Sequence, residues 1–242
     1  MSEQENRSEQ NIFEREIRLI GADAFRKLSG AHVAVFGLGG VGSFVTEALC
    51  RAGIGRLSLI DNDRVSESNL NRQLYALRST LGTKKTEAAL LRCLDINSAL
   101  SGRIHLYDAF LLPENAEALL SRIAGPQPLD YIVDAVDTVS AKIALAVFCE
   151  KQGIPLLSCC GTGNKLDPSR FRISDLSKTS VCPLCRVLRR ELKRRNVKKL
   201  SVCWSDEPPR ETEGRTPASI SFVPSAAGLL IAGRVVQDLT AY

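Results

Sequence analysis

The chain has 242 residues, 44% of them apolar and 24% charged, with a formal net charge of +5, proportions ordinary for a globular domain and far from those of disordered or collagenous chains. That length suffices for one large α/β domain with a substantial core. No run approaches the roughly 18 apolar residues of a bilayer span, the stretch around 226–236 being interrupted by glycine and Arg234, and a polar N-terminus without a secretory pattern makes a cytoplasmic setting the expectation.

Residues 1–11 read as a disordered polar tail. Between 12 and 29 apolar positions recur at helical spacing on either side of Gly21, which predicts two short helices. AHVAVFGLGGVGSFVTEALCRAG then reads as a buried strand at 32–36, a glycine turn and a helix from Val41 to Ala52, and RLSLIDND as a second strand ending in acids. TKKTEAALLRCLDIN has an amphipathic helical pattern, and RIHLYDAF alternates as a strand does. A helix at Ala116–Ala124, a strand in DYIVDAVD, a helix in VSAKIALAVFCEKQG and a strand in PLLSCCG continue the alternation.

After Gly163 the regularity weakens. RFRISD reads as an antiparallel strand, 186–195 as a basic helix, 204–217 as a mobile loop rich in proline and charge, and Ser225–Leu239 as a closing helix. The predicted fold is α/β: a Rossmann-like, doubly wound, mostly parallel sheet with antiparallel C-terminal strands and a basic helical insertion. Residues 12–165 form the nucleotide-binding core, and 166–242 the C-terminal part of the same domain.

The eight cysteines lack the spacing of a disulfide framework, so reduced thiols are expected. Cys182-Pro-Leu-Cys185 has metal-ligand spacing but no second CxxC to complete a four-sulfur zinc site. Cys159 and Cys160 end a strand and read as packing residues, and His32 and His105 as structural.

Gly37-Leu38-Gly39-Gly40-Val41-Gly42 lies between a strand and a helix, the context in which bare backbone N–H groups at a helix N-terminus receive phosphate. Asp61 closes the next strand, where a carboxylate accepts from ribose hydroxyls. Up to that point NAD binding and hydride transfer fit equally well. Asp63, Asn69, Arg72, Gln73 and Lys85 then add a guanidinium and an ammonium, which suit a triphosphate better than a pyrophosphate bridge. Asp137 supplies an oxygen ligand of the kind that holds Mg2+ beside phosphates.

GLGGVG, D-N-D, N-L-N-R-Q, Gly82 to Glu87 and D-A-V-D occur in the order of the ubiquitin-activating-enzyme-like adenylating superfamily, and 12–165 resembles that family throughout. The resemblance implies that Gly39, Gly40 and Gly42 line the phosphates of ATP and Asp61 binds ribose. It also implies that Asn69, Arg72, Gln73 and Lys85 contact the nucleotide and that Asp137 coordinates magnesium. Family members place an arginine from the N-terminal helix in the ATP site of a dimer partner. Arg15 stands at the matching position, with Arg18 a nearby competitor, so a homodimer is implied.

GNKLDPSRF, DLSKTSVCPL, RVLRREL and ISFVPSAAGL resemble the branch that dehydrates threonylcarbamoyladenosine in tRNA. That resemblance implies an acyl-adenylate on the threonyl carboxylate, tRNA as substrate, and leaves room for a sulfur-relay partner. The stretch 186–199 holds eight Lys or Arg and only Glu191 as an acid, a density suited to a phosphate backbone. The candidate tRNA contacts are Lys178, Arg186, Arg189, Arg190, Lys193, Arg194 and Arg195, with Lys165 adding to the same surface. The rival enzymatic reading is adenylation of the C-terminal glycine of a ubiquitin-like sulfur carrier, and the rival outside catalysis is an inactive scaffold subunit.

Overall fold

A strand as apolar as HVAVF must be covered on both faces, and β1 (His32–Phe36) is buried at every position. It lies inside a seven-stranded sheet of order β3-β2-β1-β4-β5-β7-β6, third from one edge. The strands are β2 (Arg56–Ile60), β3 (Ile104–Tyr107), β4 (Tyr131–Asp134), β5 (Leu156–Cys159), β6 (Phe171–Asp175) and β7 (Ser201–Ser205). β1 pairs in parallel with β2 (Val33 opposite Leu57) and with β4 (Val33 opposite Tyr131). Among the described strands only β6 runs antiparallel, with Phe171 opposite Ser205. The computed structural model describes residues 12–125, 127–214 and 216–241, so the tail expected at 1–11 lies outside the described residues.

Eight α-helices among the described residues cover the sheet: α1 (Glu14–Ile20), α2 (Ala22–Gly30), α3 (Gly42–Arg51), α4 (Lys85–Ile96), α5 (Ala116–Ala124), α6 (Val139–Gln152), α7 (Pro183–Arg194) and α8 (Phe222–Thr240). The two-residue period of β1 divides the core between two layers. Val33 and Val35 face one shared by α2, α3, α4 and α8, while Ala34 and Phe36 face one shared by α5, α6 and α7. Helix α8 is long and apolar enough by length and composition to cross a bilayer. Val223, Ala227, Ile231 and Val235 nevertheless bury one of its faces in the core beside α3.

Two expectations need correction. The loop foreseen over 204–217 begins after Ser205, because Trp204 and Ser205 are the buried end of β7. That strand, SVCWS, lies outside the predicted elements; it pairs in parallel with β5, with Cys159 opposite Cys203. The helix foreseen at 186–195 starts earlier, at Pro183, whose ring suits a first helical turn that has no use for its missing N–H.

Candidate nucleotide-binding site

The strand order reverses direction between β1 and β4, and in such a sheet the crevice beyond the carboxyl ends of the strands at that point is where ligands bind. The glycine turn, Asp61 and Asp137 all stand at those ends. Gly37 leaves β1 at φ +85°, a region costly for any residue with a Cβ, and an added Cβ would lie 2.8 Å from the Ala135 carbonyl oxygen. At Gly42 the approach is closer still: a Cβ would lie 1.7 Å from the Gly37 carbonyl oxygen. The turn therefore folds onto itself and leaves backbone N–H groups bare ahead of α3.

Asp61 is held by two backbone donors, the N–H of Leu38 at 2.6 Å and that of Asp63 at 2.8 Å. Burial raises its pKa, partly opposed by the charge of Lys85 and by those two N–H bonds. Lys85, at the start of α4, is only 5% exposed, yet its Nζ lies 2.7 Å from Asp63 Oδ2 and 4.0 Å from Asp61 Oδ1. A buried ammonium at the crevice, shared between two carboxylates, is a charge that an incoming phosphate can draw on.

The 66–73 turn brings the remaining polar groups. The Asn69 side chain accepts from the N–H of Ser66 at 3.1 Å and so caps its own 3-10 turn, while its Nδ2 donates a long bond of 3.5 Å to Ser68 Oγ and keeps a second N–H to offer. Arg72 donates to the Ser68 carbonyl at 2.8 Å and to Asn71 Oδ1 at 2.9 Å. Gln73 is buried with its Nε2 against Gly39, and Gly40 lies beside Pro224 at the start of α8. Asn71 donates to the Ser219 carbonyl at 3.1 Å, tying this turn to the segment that leads into α8.

Asp137 is exposed, and among the described residues its side chain makes one long hydrogen bond, accepting from Thr138 Oγ1 at 3.4 Å, so its oxygens are available. Among the described residues no group of three or more His, Cys, Asp or Glu side chains is placed to hold a metal. A divalent cation here would thus take Asp137 together with phosphate and water oxygens, a donor set that suits magnesium.

Arg15 is not in the crevice of its own chain. Helix α1 lies with α2 at the amino ends of the strands, where Phe13 packs on Phe25 beside Gly53, and Arg15 is exposed there. Its competitor Arg18 is paired with Glu14.

The basic segment is more divided than its composition suggests. Arg189, half-buried, donates through Nη1 to the Thr179 carbonyl at 3.0 Å and to the Thr179 hydroxyl, so part of its guanidinium braces the turn ahead of α7. Lys165 is likewise buried, its Nζ donating to the Glu207 carbonyl, with burial depressing its pKa. Arg190, Arg194 and Arg195 gather around Glu191 at 3.1, 3.3 and 2.9 Å. Arg186, Lys193, Lys198 and Lys199 are exposed, and Lys178 projects from the neighbouring turn. The surface keeps a strong positive excess.

All eight cysteines are buried and unbridged. The Cys185 thiol, hydrogen-bonded to Cys160, is pushed up to about 12, and Cys159 rises through its bond to Cys203 and its burial; neither is poised as a thiolate nucleophile. His32 is buried on Ser58 Oγ at 2.9 Å, with its pKa lowered by burial.

One cluster beside the crevice was not foreseen. Asp134, ending β4, and Lys142, on α6, are fully buried; Nζ lies 3.1 Å from both Asp134 oxygens and 2.7 Å from the Cys159 carbonyl. Ser158 Oγ donates to Asp134 at 2.5 Å. Burial alone would lower the Lys142 pKa, but the Asp134 charge outweighs it and the net direction is upward. A lone cation within the apolar run AKIALAVF was the available signal.

The ThiF family matches residues 13–242. The tRNA threonylcarbamoyladenosine dehydratase of Bacillus subtilis is 40% identical over 245 aligned positions, covering 94% of each chain. That of Haemophilus influenzae is 38% identical, covering 81% of this chain and 77% of its own. The crystal structure of Escherichia coli tRNA N6-threonylcarbamoyladenosine dehydratase in complex with ATP superposes with a TM-score of 0.87 at 32% identity, covering 96% of this chain and 95% of that one. The same enzyme in complex with AMP gives the same figures.

Proposed function

The chain belongs to the ThiF family, and from that membership we propose that it cyclises threonylcarbamoyladenosine in tRNA at the expense of ATP. The observation that carries this reading is the convergence, at the β1/β4 reversal, of the Gly37–Gly42 turn, Asp61, the buried ammonium of Lys85, Arg72 and the open carboxylate of Asp137. Relatives named for this reaction match 94% and 81% of this chain.

Asp61 receives the ribose hydroxyls, and the bare N–H groups of Gly39, Gly40 and Gly42 receive the phosphates at the N-terminus of α3. Gln73 and the Asn69 amide face the nucleotide beside them. Lys85 and Arg72 neutralise the charge that develops as a threonyl carboxylate oxygen bonds to the α-phosphorus and the bond to pyrophosphate breaks. Asp137 would hold magnesium, which when bound would supply further charge neutralisation on the phosphate oxygens. A nitrogen of the same substituent then attacks the activated acyl carbon, losing a proton as AMP departs. Because that nucleophile is tethered, its effective concentration is high and no cysteine thioester is required.

The tRNA backbone lies along the exposed cations of α7 and its flanks, Lys178, Arg186, Arg190, Lys193, Arg194 and Arg195. A cytoplasmic setting follows from that substrate. A homodimer is supported by the exposed Phe222, Leu229 and Leu230 on α8, and within it Arg15 reaches the partner's crevice. Nucleoside analysis of threonylcarbamoyl-modified tRNA incubated with the protein and ATP tests the reading: the cyclic nucleoside should form with stoichiometric AMP. ATP–pyrophosphate exchange stimulated by a ubiquitin-like carrier and not by tRNA would replace it with the carrier-activating reaction.

A further inference from the structure

The Asp134–Lys142 pair lies in an apolar layer among Phe36, Ile132 and Leu145, and both side chains are at most 1% exposed. Replacing such a pair by apolar groups of similar shape is commonly neutral or favourable for stability, so stability alone gives little reason for it. What the pair does hold is backbone. Asp134 Oδ1 accepts from the N–H of Val136 at 3.2 Å, fixing the Ala135–Val136 peptide one unit ahead of Asp137. The same Ala135–Val136 peptide is pressed from the other side by Gly37, where an added Cβ would meet the Ala135 carbonyl oxygen at 2.8 Å and the Val136 nitrogen at 3.1 Å. The N–H of Ala135 donates to the Phe36 carbonyl at 2.8 Å.

Lys142 reaches in the other direction. Its bond to the Cys159 carbonyl fixes the end of β5, and Ser158 joins both charges, with Oγ 2.5 Å from Asp134 Oδ2 and 3.4 Å from Nζ. One buried ion pair therefore sets the Asp137 loop and the exit of β5 relative to one another, while the glycine turn is anchored separately through the bond from the Leu38 N–H to Asp61.

We propose that Asp134 and Lys142 are positioning residues for adenylation, acting through the backbone of residues 135–137 and the end of β5 and touching neither ATP nor tRNA. The proposal rests on the adenylating function given above. Displacing a reacting group by about 1 Å costs on the order of a hundredfold in rate. Loss of the pair should accordingly lower turnover while leaving ATP affinity, which rests on Asp61, Lys85 and the glycine N–H groups, nearly unchanged.

The test uses the full chain with modified tRNA and follows ATP–pyrophosphate exchange, equilibrium ATP binding and thermal unfolding. The double variant Asp134→Asn, Lys142→Met removes both charges together, avoiding the stranded charge that either single change leaves. The expected result is a kcat lowered by about a hundredfold with unchanged ATP affinity and a cooperative melt close to wild type. Ser158→Ala, a smaller change, should lower kcat several-fold with the melt unaffected, and decides the matter if the double variant does not fold. Turnover within twofold of wild type in a folded variant, or a loss explained wholly by the unfolded fraction, would overturn the proposal. Absence of exchange in the wild-type protein would instead overturn the adenylating function.

Discussion

Replacing Lys85 with methionine keeps the length and apolar stem of the side chain and removes its charge from the crevice. The Asp61 oxygen lies 4.0 Å from Nζ, and both side chains are under 10% exposed, so at an effective dielectric constant of about 20 their attraction is about 4 kcal/mol. Asp63, with a side chain 60% exposed, adds at most about 1 kcal/mol. Much of this is cancelled by the relief of burying an ammonium, and Asp61 keeps its two N–H donors, so the expected loss of stability at neutral pH is about 2 kcal/mol.

The loss should depend on pH in a defined direction. Burial already raises the Asp61 pKa against the opposing charge of Lys85, and removing that charge raises it further. A carboxyl whose folded pKa exceeds its unfolded value contributes stability that is fully present below the unfolded pKa and lost as pH rises through the folded one. The variant's deficit should therefore be greatest near neutrality and shrink under acid conditions, until Asp61 is protonated in both proteins. Catalysis should suffer more: removing one preorganised charge from a developing anion costs about a hundredfold to a thousandfold, or roughly 2.7–4 kcal/mol. Denaturant melts across pH together with ATP–pyrophosphate exchange would measure both. A folded variant with exchange within threefold of wild type, or a stability deficit that grows on acidification, would refute the reasoning.

The basic segment should separate into two classes: charge reversal at Arg186, Lys193, Lys198 and Lys199 should weaken tRNA binding and flatten its salt dependence by about one unit per lost phosphate contact, with an unchanged melt. Arg189→Ala should instead destabilise by about 1–3 kcal/mol, since it strands the buried Thr179 carbonyl; filter binding and calorimetry distinguish the two. Gly42→Ala should abolish nucleotide binding or folding, because its Cβ would overlap the Gly37 carbonyl oxygen, whereas Gly39→Ala should fold normally with its nearest neighbour 3.6 Å away. Burial pushes the Glu16 carboxyl up to about 7, so wild-type stability should fall as pH rises from the usual carboxylate range through about 7, and Glu16→Gln should flatten that decline in melts taken across the range.

The sequence by itself determined the order of strands and helices up to β5, the mostly parallel sheet, and the glycine turn with Asp61, Arg72, Lys85 and Asp137 beside it. These are legible because their signals are local. Two-residue and 3.6-residue periods, glycine between strand and helix, and an acid closing the next strand each arise within a few positions. Tertiary structure decided the rest. Whether a cation is solvated depends on partners elsewhere in the chain, and composition is blind to those: Arg189 braces Thr179, Lys165 is buried on Glu207 42 positions away, and Arg15 lies at the strand ends opposite the crevice. The same holds for Asp134, Lys142 and Ser158, which come together only when β4, α6 and β5 pack, and for Asn71 and Ser219, joined across 148 positions. A charge written in the sequence carries no direction until packing selects its partner, because burial and pairing are properties of the space around a side chain and not of its neighbours along the chain.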